Sequence, residues 1–323
     1  MVPRLRLVFT LVLYLGLSAL TNIVDRLLIE VKFSFPLVAT RKFVNYAAVS
    51  AACGILYKMG YLRHKPIPMK SLLLFTGAFC ADFMFSHLVL RSSSFGVFQV
   101  FRMLSTPTVL LINRIYGTTE SGSILLSLLV TTVGLYIAIV RGYEGTAGTF
   151  LFGVLTTVSH ALYFVWGHAI LTRNDIQPLQ LMLYHAPICA IVLGFCALFI
   201  DDKKSLFSFR PTGLLWIIFI FFFAVSFALQ WVFFLLCKRL APLSMCVFMQ
   251  FRISLQFTLG FIFVMSFMEF ANVLGISISF IGIFAYVWFK KRDAAQAGEL
   301  AQHNGKDSDR LNVLFVREGR GEV

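Results

Sequence analysis

Val97-Phe98-Gln99-Val100-Phe101-Arg102 and Val247-Phe248-Met249-Gln250-Phe251-Arg252 are nearly the same stretch, met twice in one chain. Each ends on an arginine well inside a long apolar run. A charge at the centre of a bilayer costs about 2.5–3.5 kcal/mol on insertion scales, so such a residue ordinarily faces a polar interior and works there. Two of them at matching places in two halves point to a duplicated membrane protein with an anion site between the halves.

The composition agrees. Of 323 residues, 59% are hydrophobic, 13% are charged and 36 are Phe. That charged share is about half of what a soluble domain carries. Apolar runs of about 20 residues satisfy their backbone in lipid only as helices. The short alternating strands of a membrane barrel do not occur. The fold class is therefore an all-α integral membrane protein.

The breakers Pro66 and Pro68, Gly142 to Gly148, Asp201 to Lys204, and Pro242 divide the apolar runs. Ten transmembrane spans result, at 7–29, 35–57, 69–90, 94–115, 121–140, 147–171, 180–200, 212–237, 243–266 and 270–290. Gly134-Leu135-Tyr136 in the fifth aligns with Gly282-Ile283-Phe284 in the tenth. Residues 1–145 then form a first five-helix repeat, and 146–290 a second. Residues 291–323, polar and of balanced charge, read as a cytosolic, mostly disordered tail. An odd number of spans per repeat makes the second copy insert upside down, a common transporter plan. Arg102 and Arg252 each lie roughly 12–14 Å into their spans at 1.5 Å per residue. They approach the midplane from opposite faces.

Net charge is +13. With both termini in the cytosol, the cytosolic loops and helix ends hold most of the lysines and arginines, as the positive-inside rule requires. The basic residues are dispersed rather than clustered, which speaks against a nucleic-acid partner. The six cysteines lie in or beside apolar runs with no CxxC pair, and read as packing residues. No cleavable leader is evident before the first span. No HExxH, HxxxxD or paired-carboxylate motif occurs, so no enzyme, metal or cofactor is expected.

Phe98-Gln99-Val100-Phe101-Arg102-Met103-Leu104-Ser105-Thr106-Pro107, Leu183-Tyr184-His185-Ala186-Pro187, Ala241-Pro242-Leu243-Ser244 and Gly282-Ile283-Phe284-Ala285-Tyr286-Val287-Trp288-Phe289-Lys290, with the ten-span plan, resemble the nucleotide-sugar and triose-phosphate transporter family (solute carrier family 35, in the drug/metabolite transporter superfamily). The resemblance covers about residues 5–290. It implies an antiporter of the Golgi or ER membrane that exchanges a nucleotide sugar for a nucleoside monophosphate. It also implies that the basic residues at 102 and 252 hold substrate phosphate. The chain departs from the family at its FYNN-like and GALNK-like motifs, keeping only the basic end of the second, and so resembles a divergent member.

The expected substrate-binding residues follow from these two lines. Arg102 and Arg252 offer the fixed donor fork that suits phosphate; a structural ion pair with Asp82 or Asp25 is the alternative for either. Helical spacing puts Gln99 and Thr106 on the face of Arg102, and Gln256 on the face of Arg252. Lys42, Asn45 and Tyr46 share a face of the second span, with Arg41 beside them; snorkelling to the interface is the alternative for either cation. Tyr14, Ser18, Asn22 and Asp25 or Arg26 make a polar stripe on the first span. Tyr184 is the aromatic candidate for stacking on a base. His160 and Tyr163 share a face of the sixth span, where a helix–helix hydrogen bond is the bland reading.

The partners expected are an anionic small molecule, its counter-substrate and membrane lipid. Oligomeric state is open, a homodimer among the alternatives. A sugar-phosphate/phosphate exchanger, another metabolite exporter of the superfamily and a transport-inactive regulatory relative are the competing functions.

Overall fold

The computed structural model describes residues 2–26, 38–62, 65–93, 95–118, 120–139, 146–201, 213–264 and 270–318. Among these, regular structure consists of eleven helices and no strand. In chain order they are α1 (Val2–Arg26), α2 (Val38–Lys58), α3 (Met69–Ser92), α4 (Phe95–Met103), α5 (Ser105–Ile115), α6 (Gly122–Ile139), α7 (Ala147–Arg173), α8 (Pro178–Ile200), α9 (Gly213–Arg239), α10 (Pro242–Val264) and α11 (Phe270–Glu318). Six of them, α1, α3, α7, α8, α9 and α11, are long and apolar enough to cross a membrane. Large apolar side chains such as Ile191, Phe199, Ile217 and Trp288 point outward, as a lipid-facing surface requires and a water-facing one does not. The protein is a multi-pass helical membrane protein.

Where the sequence reads one span at 94–115, two helices stand, parting at Leu104. Pro107 gives the reason. It has no N–H to bond the Met103 carbonyl, and its ring crowds that carbonyl, so the helix breaks one turn earlier. Ser105 Oγ donates to the Arg102 carbonyl at 2.6 Å and satisfies one freed acceptor. Pro187 lies inside α8, which runs on to Ile200.

The contacts group the chain into two compact units, 1–112 with 139–266, and 113–138 with 267–323. In the first, α2 packs chiefly on α8, α3 on α7, and α1 on α9. Asp201, just past α8, accepts hydrogen bonds from the first N–H groups of α2, Ala39 N at 3.3 Å and Thr40 N. A carboxylate there satisfies orphan donors and complements the helix dipole.

The turn from α7 to α8 is a Schellman motif. Ile176 N bonds the Leu171 carbonyl, and Asp175 N that of Thr172. Asp175 takes the left-handed position at φ 45°, which Asp tolerates better than most residues. Its carboxylate accepts Lys238 Nζ at 2.7 Å and its carbonyl accepts Lys65 Nζ at 3.0 Å. The Lys238 hydrogen bond and charge hold that carboxyl below the usual carboxylate range.

The second unit contains α6 and α11, which approach almost backbone to backbone. A Cβ on Gly134 would lie 2.4 Å from Ser279 N, and one on Gly275 would lie 2.4 Å from Ala138 N. A Cβ on Gly282 would lie 2.4 Å from Thr131 Oγ1. Positions rise along α11 as they fall along α6, so the two helices run antiparallel. Glycine is required at this seam because any side chain would collide with backbone. Lys290 Nζ closes the unit with 2.7 Å hydrogen bonds to both carboxylate oxygens of Glu120.

Candidate functional site

Polar side chains from eight helices, Ser105 of α5 among them, line a cavity of about 380 Å³ in the first unit, within the usual range of about 300–1,000 Å³ for small-molecule sites. Helix α2 supplies Lys42, Asn45 and Tyr46, α3 supplies Asp82, and α4 supplies Gln99 and Arg102. His160 and Tyr163 come from α7, Ser226 and Gln230 from α9, and Gln250 and Arg252 from α10. Tyr14 and Thr21 of α1 complete that face.

The two arginines arrive on differently anchored helices. Below Arg102, Phe101 lies on Gly153 of α7, where an added Cβ would come 2.3 Å from the ring. The Phe101 carbonyl accepts Thr157 Oγ1 at 2.7 Å, and Phe98 and Phe101 pack with Val89, Val97 and Phe152. That contact fixes the height of α4 against α7. Helix α10 is held by Gln250, whose Nε2 donates to Thr106 Oγ1 of α5 at 2.9 Å. Both residues are buried. A fully buried polar bond of this kind fixes register, because slipping it would strand both partners.

Arg102 lies in a compact polar cluster. Its Nη1 is 3.1 Å from Asp82 Oδ2, and its Nη2 donates to Ser86 Oγ at 3.2 Å. The same Nη1 is within hydrogen-bond reach of the His160 imidazole. His160 Nδ1 is 3.2 Å from Asp82 Oδ2, and Ser86 Oγ reaches Asp82 Oδ1 at 3.4 Å. The guanidinium carbon also stands 5.2 Å from the Phe98 ring centroid. The Asp82 side chain is 7% exposed and that of Arg102 22%. The arginine is thus the more exposed member of the pair.

Arg252 has no carboxylate within ion-pair distance among the described residues. Its Nη1 and Gln256 Nε2 donate to the same Ser18 Oγ, at 3.0 and 3.1 Å, which a hydroxyl with two lone pairs can accept. Its guanidinium carbon stands 6.0 Å from the Tyr14 ring. Arg252 Nε is a buried donor without a protein acceptor among the described residues. A buried donor left so invites an acceptor from a ligand.

Of the residues named from sequence, Arg102, Arg252, Lys42 and Gln99 meet at this cavity. Gln256 stands behind Arg252 on Ser18. Arg41 is buried but does not line the cavity, and Asn22 is exposed. Tyr184 lies apart, its hydroxyl donating to the Lys65 carbonyl at 3.3 Å. The side chains of Asp25 and Arg26 lie outside the described residues. Both faces of the Tyr163 ring are occupied, by Phe75 at 4.9 Å and Phe233 at 5.6 Å, so it offers the cavity an edge rather than a stacking face. Sequence reasoning passed over Thr21, Ser226 and Gln230. The last two are a polar pair four apart in an otherwise apolar helix, the same signal that singled out α1 and α2.

No family model matches the chain. It is similar to UDP-xylose transporter 1 of Arabidopsis thaliana, 21% identical over 303 residues that cover 92% of this chain and 89% of the relative. UDP-xylose transporter 3 of that plant is 22% identical over 270 residues, 81% of this chain and 76% of the relative. Its UDP-rhamnose/UDP-galactose transporter 1 is 22% identical over 297 residues, 89% and 84%. A solved crystal structure, 14% identical, superposes with a TM-score of 0.64 over 88% of this chain and 96% of its own. The fold is thus shared along nearly the whole length. The chain resembles the nucleotide-sugar transporters as a divergent relative.

Proposed function

We propose, from that kinship, that the chain is a secondary antiporter that moves a nucleotide sugar one way and a nucleoside monophosphate the other. The observation that carries this reading is the cavity onto which Arg102 and Arg252 both open. Its lining holds Lys42, Arg102 and Arg252 against one carboxylate, Asp82. That excess favours an anion, and a forked guanidinium suits phosphoryl oxygens. Lys42 and Gln99 extend the phosphate end. Asn45, Gln230 and Tyr46 are the neutral polar groups left for base and sugar. Tyr184, Arg41 and Asn22 are left outside this site.

Transport proceeds by alternating access between two inverted five-helix repeats, 1–145 and 146–290, making ten spans with α4 and α5 as one. Helix pairing supports this. Exchanging each span for its counterpart turns the α3–α7 pair into α9–α1 and maps α2–α8 and α6–α11 onto themselves. A two-fold relation between the repeats requires that closure. Gln250 on Thr106 likewise joins α10 to its own counterpart. The distribution of basic residues supports cytosolic termini, and a Golgi membrane suits the substrate class.

Exchange in liposomes tests the reading. Vesicles holding the purified protein and loaded with UMP should take up labelled UDP-xylose faster than unloaded ones. The R102A/R252A double variant should insert and fold but not exchange. Equal uptake without internal nucleotide would sink antiport, and unchanged exchange by the double variant would sink the site. Uptake of sugar phosphates in place of nucleotide sugars would select the sugar-phosphate exchanger.

A further inference from the structure

His160 Nδ1 meets a donor and an acceptor at once. Arg102 Nη1, which can only donate, is within hydrogen-bond reach, and Asp82 Oδ2, an acceptor when ionised, lies at 3.2 Å. One ring nitrogen fills one role at a time. With the ring neutral, Arg102 lies against the imidazole with Nη1 within reach of both ring nitrogens, and the arginine is held between His160 and Asp82. With Nδ1 protonated on a cationic ring, His160 donates to Asp82, supplies that carboxylate with its own counter-charge and repels the guanidinium.

We infer that His160 is a proton-binding site that releases Arg102 to the substrate, so that binding of the organic phosphate takes up a proton. This rests on the reading of Arg102 as an anion ligand. The proton comes from bulk water through the cavity and returns there when the anion leaves. Asp82 exchanges Arg102 for the imidazolium and remains neutralised throughout, which a buried carboxylate requires. Arg102 is free to turn, because it already borders the cavity.

The other ionisable groups facing His160 fit this role. Asp82 is the one carboxylate in the lining, on α3. Arg102 on α4 and Arg252 on α10 are permanent cations, and Lys42 on α2 is a further cation of the lining. Tyr14 of α1, Tyr46 of α2, Tyr163 of α7 itself and Cys246 of α10 are neutral when protonated. The lining part of α9 has no ionisable side chain. The imidazole is therefore the group able to change charge near neutrality.

The test is the affinity for UDP-xylose, whose pyrophosphate diester stays ionised throughout, between about pH 8 and about pH 5.5, spanning the range in which imidazole titrates. One linked proton tightens binding by up to about tenfold per pH unit as pH falls. Calorimetry of the wild-type protein in two buffers of different ionisation heat should register the proton taken up. H160Q should bind with an affinity that does not follow pH and without proton uptake. H168Q, on the same helix but on the Cys237 carbonyl at 2.7 Å, should keep the wild-type slope. A wild-type affinity that is flat with pH, or an H160Q slope equal to wild type, overturns the inference and leaves the anion site standing. Undiminished binding by R102A removes Arg102 from the anion site, and the inference with it. The wild-type calorimetry decides the matter even where H160Q fails to fold.

Discussion

Asp82→Asn separates the roles given to the Arg102 cluster. Asp82 lies 3.1 Å from the Arg102 guanidinium, and in the proposed reading it competes with the substrate for it. Asparagine has nearly the same shape, can still accept from Ser86, and removes the charge. A hydrogen bond to a charged group contributes about 1.5–3 kcal/mol net. At 1.4 kcal/mol per factor of ten, the anion should bind D82N about ten- to a hundredfold more tightly. Exchange should slow, because release becomes the difficult step. Without ligand the variant should be less stable by about the same 1.5–3 kcal/mol, since Arg102 loses its charged partner. The ligand offsets that loss. The assay is binding of UDP-xylose to purified D82N and wild type, with melting curves at rising ligand concentration. Affinity equal to or below wild type would refute the competition, because a carboxylate that does not compete for Arg102 leaves nothing to gain.

Further substitutions test the packing of α4 on α7, the cap of α2 and the α6–α11 unit. Gly153→Ala should cost about 1–3 kcal/mol by overpacking and lower exchange, because its Cβ meets the Phe101 ring at 2.3 Å and Arg102 follows Phe101. Gly148→Ala on the same helix has only Thr146 and Phe152 near it, at 3.6 Å and beyond, and should leave both melting and exchange unchanged. Asp201→Ala should destabilise the protein by about 0.5–2 kcal/mol through loss of the α2 cap, read by thermal melting, and Asp201→Asn should recover part of it. Gly134→Ala should cost about 3 kcal/mol or more, since its Cβ meets backbone atoms that cannot step aside, and proteolysis of the α6–α11 unit should rise with it.

The two arginines were legible because a charge inside an apolar run is costly, and because their neighbours repeat. Lys42, Asn45 and Tyr46 were legible from spacing alone. The same rule explains what spacing misplaced. At 100° per residue, Thr21 returns to within about 20° of the Tyr14 direction, while Asn22 overshoots by about 80°. Thr21 lines the cavity and Asn22 does not. Arg41 stands about 100° from Lys42 and so faces elsewhere. Tyr184 shows the other limit: a helical face can be read from sequence, but its height along the bundle and its partner on the loop at Lys65 cannot. The triad of Asp82, Arg102 and His160 joins three helices. Sequence offered Asp82 and Asp25 as equal partners for the arginine, and only packing of α3 on α7 brings His160 to the same carboxylate. The break at Leu104 has a sequence cause in Pro107, but a proline allows either a bend or a stop, and neighbouring contacts decide which.

A structure of the protein with UDP-xylose bound tests the central claim most directly. The account predicts the nucleotide sugar in the first unit's cavity, with phosphoryl oxygens on Arg102, Arg252 or both, and with Arg102 drawn away from Asp82. A nucleotide sugar bound elsewhere, or bound in the cavity with both arginines still turned to their protein partners, would contradict it.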